Sequence, residues 1–256
     1  MSETPISYTS HNVSSPKATI LLIHGGFSDG QEWDPIWPLL VAADYHVMIP
    51  DLPGHGNSCD AGRGFAVEDA ARRLADLVQA HALDQKAHVV AMSIGAHVAA
   101  AMAARYPEQI QSLVVSGFNM FPPSLVSPVL PYFVYAVQRT SGFIKNPTVE
   151  WRRFCKGQGT LSTTCDIFNM LFSARALKPI AARSLVVAAT RAGISADNID
   201  HARRLFETIQ PDNGSRLVQH RGMRHPWNAD EPRIFTNLVT CWAERKDLPE
   251  GFESVV

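Results

Sequence analysis

Val89-Val-Ala-Met-Ser93-Ile-Gly95-Ala-His-Val-Ala-Ala-Ala101 is the stretch on which the reading of this chain turns. An apolar run of strand character leads straight into a serine, and a helix pattern packed with small residues begins straight after it. A tight strand-to-helix turn holds its central residue in a strained conformation and admits only small neighbours. Ala91 and Gly95, two residues either side of Ser93, are what such crowding selects. Alanine is small enough to leave room for the turn.

Outward from Ser93, short β-branched runs alternate with helical patterns. The strand candidates are Ala18–Ile23, Tyr45–Ile49, Ala87–Ala91, Ser112–Ser116, Ser184–Ala189 and Ser215–Gln219. Val67–His81, Ile94–Arg105 and Glu231–Glu244 have helical patterns. This rhythm predicts an α/β fold, a mostly parallel central sheet covered by helices on both faces. It breaks once, from Phe118 to Pro179, where Pro122, Pro123, Pro128 and Pro131 cluster among aromatics before two amphipathic patterns around Trp151 and Phe168. Insertions of this length inside a compact domain usually serve function. The expected organisation is therefore a core of residues 1–117 and 180–256 with a helical lid at 118–179.

Four stretches carry a resemblance. They are Ile23-His24-Gly25-Gly26-Phe27 after the first buried strand, Asp51-Leu-Pro-Gly-His55-Gly-Asn-Ser58 after the next, the Ser93 turn itself, and Ala104-Arg-Tyr-Pro107-Glu108 at the end of its helix. In this order they resemble the α/β-hydrolase superfamily over nearly the whole chain except the lid. The resemblance implies that Ser93 is a nucleophile and that the amides of Gly26 and Ile94 form an oxyanion hole, with Phe27 the next candidate. Serine needs a base to take its proton. Of ten histidines, His225 stands in the loop before the C-terminal helix where the family places that base. His24 and His55 fall in glycine-rich turns with structural work, and His11, His81 and His201 sit in polar surroundings expected to be solvated.

The third member of the set is not settled by the residues. The family's acid falls a few residues past the strand ending at Ala189, and the expected position holds Ala192. Asp197 and Asp200 are the nearest acids, and Asp197 equally suits a helix cap. Asn119 as orienting group, or a Ser-His dyad, stays open. Asn119, Phe27 and Trp227 are further candidates for contact with substrate.

The 23 basic and 24 acidic residues are spread without blocks and leave a formal net charge of -1. Such a balance gives no field to gather nucleic acid or anionic lipid. The expected partner is a small, mostly apolar molecule, with neither nucleic acid nor membrane, and a homodimer is the one assembly left open. Four scattered cysteines lack zinc-site spacing and read as reduced thiols. The start of the chain lacks a secretory pattern, and no run reaches the roughly 20 apolar residues of a spanning helix, so a cytoplasmic location is expected. Neither metal nor organic cofactor is required by a serine site. The reading is a hydrolase of an ester, thioester or lactone. Its alternatives are carbon–carbon bond hydrolysis or lyase chemistry at the same site, and a ligand-binding protein that has lost turnover.

Overall fold

The computed structural model describes residues 5–12, 14–59, 64–140, 159–173, 176–193 and 196–255. Eight strands form one sheet: β1 (Tyr8–His11), β2 (Thr19–Ile23), β3 (His46–Pro50), β4 (Ala87–Met92), β5 (Ile110–Ser116), β6 (Ser184–Ala189), β7 (Arg216–His220) and β8 (Glu253–Ser254). Their order is β1-β3-β2-β4-β5-β6-β7-β8. The six inner strands run parallel, while β1 and β8 pair antiparallel at the two edges. Strands buried on both faces read as continuous apolar runs rather than alternating ones, and β2 and β4 are buried at every position.

Helices α1 (Trp37–Ala42), α2 (Val67–His81), α3 (Ile94–Arg105), α4 (Leu130–Thr140), α5 (Leu161–Leu171), α6 (Ile199–Phe206) and α7 (Pro232–Ala243) connect or flank the strands. Two apolar layers result. One packs α2, α3 and α6 on one face through Leu74, Val98 and Leu205. The other packs α1 and α7 on the opposite face through Leu40, Phe235 and Trp242, with Trp33 between them. α3 is apolar all round because it is buried: Ile94, Ala96, Val98, Ala99, Met102 and Ala103 are in the core.

The order in which strands are added to the sheet reverses between β2 and β4, which lie side by side although β3 separates them in sequence. A crevice opens at the carboxyl ends of the strands at such a switch point. Both the loop after β2 and the turn after β4 open onto it. α4 and α5 lie between β5 and β6 in the chain and pack on each other. The Trp151 pattern lies outside the described residues, as do Phe143 and Phe154. Tyr132 and Phe133 on α4 are 57% and 67% exposed, so they are neither pocket wall nor buried filling. Cys59, Cys165 and Cys241 form no disulfide among the described residues, and no helix among the described residues is long and apolar enough to cross a membrane.

Candidate active site

Ser93 occupies the single residue between β4 and α3, with φ 56° and ψ −120°. A non-glycine residue held there stores on the order of 1–3 kcal/mol and persists only where its surroundings fix it. Here the Ser93 amide donates to the Ser116 carbonyl at 2.8 Å, and its own carbonyl accepts from Ala96 at 2.9 Å. The turn is thus pinned to the end of β5 on one side and to the first turn of α3 on the other. Gly95 shows why small residues flank it: a Cβ there would lie 2.6 Å from the backbone oxygens of Ile23 and His24.

The loop after β2 is held by its histidine. His24 accepts the Leu52 amide at Nε2 (3.0 Å), which leaves Nδ1 to donate to the Gly25 carbonyl at 2.7 Å. Burial pushes its pKa down, so the ring is held neutral, as this pair of bonds requires. Gly26 follows directly, and a Cβ on it would meet Cδ1 of Ile94 at 3.0 Å. The two residues expected to supply the oxyanion hole are therefore neighbours, one in the loop and one opening α3. A helix N-terminus leaves its first amides without intrahelical partners and carries partial positive charge. The Gly25 amide is already engaged by Glu32 at 2.9 Å, so Gly26 and Phe27 are the loop residues left to consider. Phe27 lies in the left-handed region at φ 62°, and its ring is 6.2 Å from that of Phe168 on α5.

His225 follows β7, and Ser93 follows β4, so parallel strands bring both to one edge of the sheet. They line the same cavity, about 510 Å³ in volume, together with Gly25, Gly26, Phe27 and Glu32. Nδ1 of His225 is 3.3 Å from Oδ1 of Asp197. The N–H is not aligned on that oxygen well enough for a formed hydrogen bond, a looseness common in such pairs before substrate draws them together. Burial is the largest influence on both groups. It pushes the Asp197 carboxyl up and the His225 imidazole down, and each is partly offset by the other's charge. A neutral imidazole in this position is ready to accept a proton.

Asp197 reaches His225 because its loop folds back on β6. The Asp197 amide donates to the Ala189 carbonyl at 2.9 Å, and the Ala189 amide donates to Asp197 Oδ2 at 2.8 Å. The Arg191 amide bonds the Met223 carbonyl at 2.8 Å, tying the acid's loop to the base's loop. The helix-cap role falls to its neighbour instead: Asn198 Oδ1 accepts from Asp200 and His201 at the start of α6. Asp200 is on the surface, paired with Arg203 at 2.7 Å.

Asn119 does not line the described cavity. Its Oδ1 accepts the Asn198 amide at 3.1 Å, so it braces the acid's loop. Trp227, expected at the wall of the site, lies in the core at 1% exposure, with its indole N–H donating to Ser116 Oγ at 2.9 Å. Its ring instead packs on Phe235 at 4.7 Å. Two histidines expected to be solvated have partners: His201 Nδ1 accepts the Met120 amide at 3.1 Å, and His11 stacks on Trp37 at 3.8 Å.

Sequence reasoning missed Gly117, Glu32 and Asn228. Gly117, at φ 73°, lies under the imidazole, where a Cβ would overlap Cε1 and Nδ1 of His225. Glu32 and Asn228 line the cavity and hydrogen-bond each other at 3.0 Å. A lone glutamate beside a tryptophan gives no pattern that would mark it. Among the described residues, no cluster of histidine, cysteine or carboxylate side chains is arranged to hold a metal ion.

Residues 18–149 match the family model described as the alpha/beta hydrolase fold. Over 255 residues, all of this chain and 89% of the relative, the sequence is 57% identical to an AB hydrolase superfamily protein of Gibberella zeae. Over 214 residues it is 27% identical to the 2-hydroxy-6-oxononadienedioate/2-hydroxy-6-oxononatrienedioate hydrolase of Escherichia coli, covering 78% of this chain and 66% of that protein. The crystal structure of the enol-lactonase from Burkholderia xenovorans LB400 superposes with a TM-score of 0.72 at 19% identity, covering 93% of this chain and 96% of that one. A strained serine after a central strand, a histidine loop at the same edge and these likenesses agree: the chain belongs to the α/β-hydrolase family.

Proposed function

We propose that this protein is a serine hydrolase that cleaves an ester, thioester or lactone of a small molecule through a covalent acyl-enzyme. The observation that carries this reading is that Ser93, at φ 56°, shares one cavity with His225, whose other ring nitrogen contacts Asp197. Ser93 Oγ attacks the carbonyl carbon while its proton passes to His225. The oxyanion is held by the amides of Gly26 and Ile94, the largest electrostatic contribution in sites of this kind. The protonated His225 then gives its proton to the leaving oxygen or sulfur, and water repeats the sequence in reverse order to free the acid and regenerate Ser93. Asp197 orients the imidazole and offsets the charge it gains. Residues 118–179 serve as the lid, with α5 leaning over the oxyanion loop through Phe168 and Phe27.

Carbon–carbon bond hydrolysis is the nearest rival, since the Escherichia coli relative acts on a dicarboxylate by its name. Asp29, Glu32 and Asp34 line this cavity, and no lysine or arginine is among the described lining residues. Unpaired like charges disfavour an anionic ligand, which supports a neutral ester over a dianion. The ligand-binding alternative rested on the empty acid position at Ala192, and the 3.3 Å approach of Asp197 to His225 weighs against it.

The test is a fluorophosphonate label followed by an ester panel. Rapid modification of Ser93, abolished in His225→Ala, together with turnover of neutral aryl esters above that of dicarboxylate ring-fission substrates, is the expected result. An inert serine in the native protein overturns the proposal.

A further inference from the structure

We propose that Glu32 is a positioning residue for this reaction, its carboxylate clamping the oxyanion loop to the loop that carries His225. The assignment rests on the serine-hydrolase reading above and adds a residue which that reading does not require.

Glu32 is held in place from behind. It belongs to a 3-10 turn, Gly30–Trp33, that Asp29 caps by accepting from the Gln31 amide at 2.9 Å. Asp51 accepts the Gly30 amide at 2.7 Å. Trp33, next to Glu32, is fully buried and packs its ring 5.6 Å from Phe235. With the turn fixed at both ends, the Glu32 side chain is directed into the cavity rather than free to swing in solvent.

Its two oxygens are divided between two loops. Oε2 accepts the Gly25 amide at 2.9 Å, and Oε1 accepts Nδ2 of Asn228 at 3.0 Å. Gly25 immediately precedes Gly26, and its Cα faces Ser93 so closely that a Cβ there would lie 3.3 Å from Ser93 Cβ. Asn228 is fully buried and follows His225 by three residues. The loops after β2 and after β7 lie far apart in sequence, and one carboxylate spans them.

This division excludes proton transfer as the task of Glu32, because both oxygens are engaged by donors that fix the loops. Burial raises its carboxyl pKa, opposed by the donors of Gly25 and Asn228. Hydrogen bonds to a charged acceptor are the strong ones. The effect of the clamp is to set the distance between the place where the oxyanion forms and the imidazole that moves the proton, and small misplacements of such groups are costly.

The test measures kcat, KM and the rate of fluorophosphonate labelling on a neutral aryl ester for Glu32→Ala, Glu32→Gln, Asn228→Ala and Glu32→Ala/Asn228→Ala. Glu32→Ala is expected to lower kcat and the labelling rate about 100-fold with KM nearly unchanged, the loss typical of a misplaced reacting group. Glu32→Gln is expected to recover most of the rate: its amide oxygen accepts Gly25, and Asn228 turned over offers its Oδ1, which has no partner in the native site. The double variant is expected to be no slower than Glu32→Ala alone, since residues in one network are not additive. Wild-type kcat in Glu32→Ala, or single losses that multiply in the double variant, overturns the clamp while leaving the hydrolase reading intact. If Glu32→Ala does not fold, Asn228→Ala decides: it must lower kcat without raising KM, and wild-type kcat there also overturns the clamp. A native protein inert to both label and esters overturns the hydrolase reading, and the clamp with it.

Discussion

Nδ1 of His225 lies 3.3 Å from Oδ1 of Asp197, a carboxylate whose side chain is only 2% exposed. Asp197→Asn keeps the loop's shape while removing the charge that orients and stabilises the imidazolium. It is expected to lower kcat on the order of 10,000-fold. The Asp197 charge raises the His225 pKa against the dominant effect of burial, so its removal moves the acidic limb of the rate profile to lower pH. Asp200→Ala, a surface change, should leave the rate near wild type. A pH-rate series on the three proteins checks both statements.

Gly117→Ala should separate rate from fold. At φ 73° an added methyl strains the backbone and collides with the His225 ring. Turnover is expected to drop at least 10-fold, in line with misplacement of a reacting group, while the protein stays folded by circular dichroism.

Gly95→Ala tests the steric account of the Ser93 turn. Helix propensity alone favours alanine over glycine by about 1 kcal/mol. Against that, the added Cβ meets two backbone oxygens at 2.6 Å. Crowding wins, and the variant is expected to lose about 1–3 kcal/mol in urea unfolding.

Acid stability should depend on His88, buried on β4 with its Nδ1 2.7 Å from Ser112 Oγ. Burial, with a smaller contribution from Arg183, lowers its pKa from 6.5 to about 4. In that window the unfolded chain binds the proton that the folded chain refuses, so stability is full above pH 6.5 and declines toward pH 4. The linked loss is on the order of 3 kcal/mol. His88→Asn removes the titrating group, and its melting temperature is expected to fall less steeply across the same range.

The order of strands and helices was legible because burial on both faces writes itself as mostly apolar runs without alternation, as in Ile20–Ile23 and Val89–Met92. β1 and β8 were not, since edge strands of four and two residues carry no such run. That Ser93 and His225 line one cavity could be anticipated from the crowding around the serine and from the family resemblance that singled out the loop before the C-terminal helix. Asp197 could only be half read: its distance past Ala189 looks too long until the loop's two hydrogen bonds to Ala189 are seen. Trp227 was misjudged for a general reason. Standing beside His225 in sequence says nothing about which way a side chain turns, and this one turns inward toward Ser116 and Phe235.

β5 and β6 are bonded neighbours, with Val114 opposite Leu185 and Val115 opposite Val186. The described residues between them lie off the sheet and the chain returns to the adjacent position, so the two ends of the excursion are fastened by the ladder. Lengthening such a segment adds little closure entropy. A shorter or longer graft placed beyond Asn119 therefore leaves the register of these two strands undisturbed, whereas Gly117 and Asn119, against the His225 ring and the Asp197 loop, have to be kept.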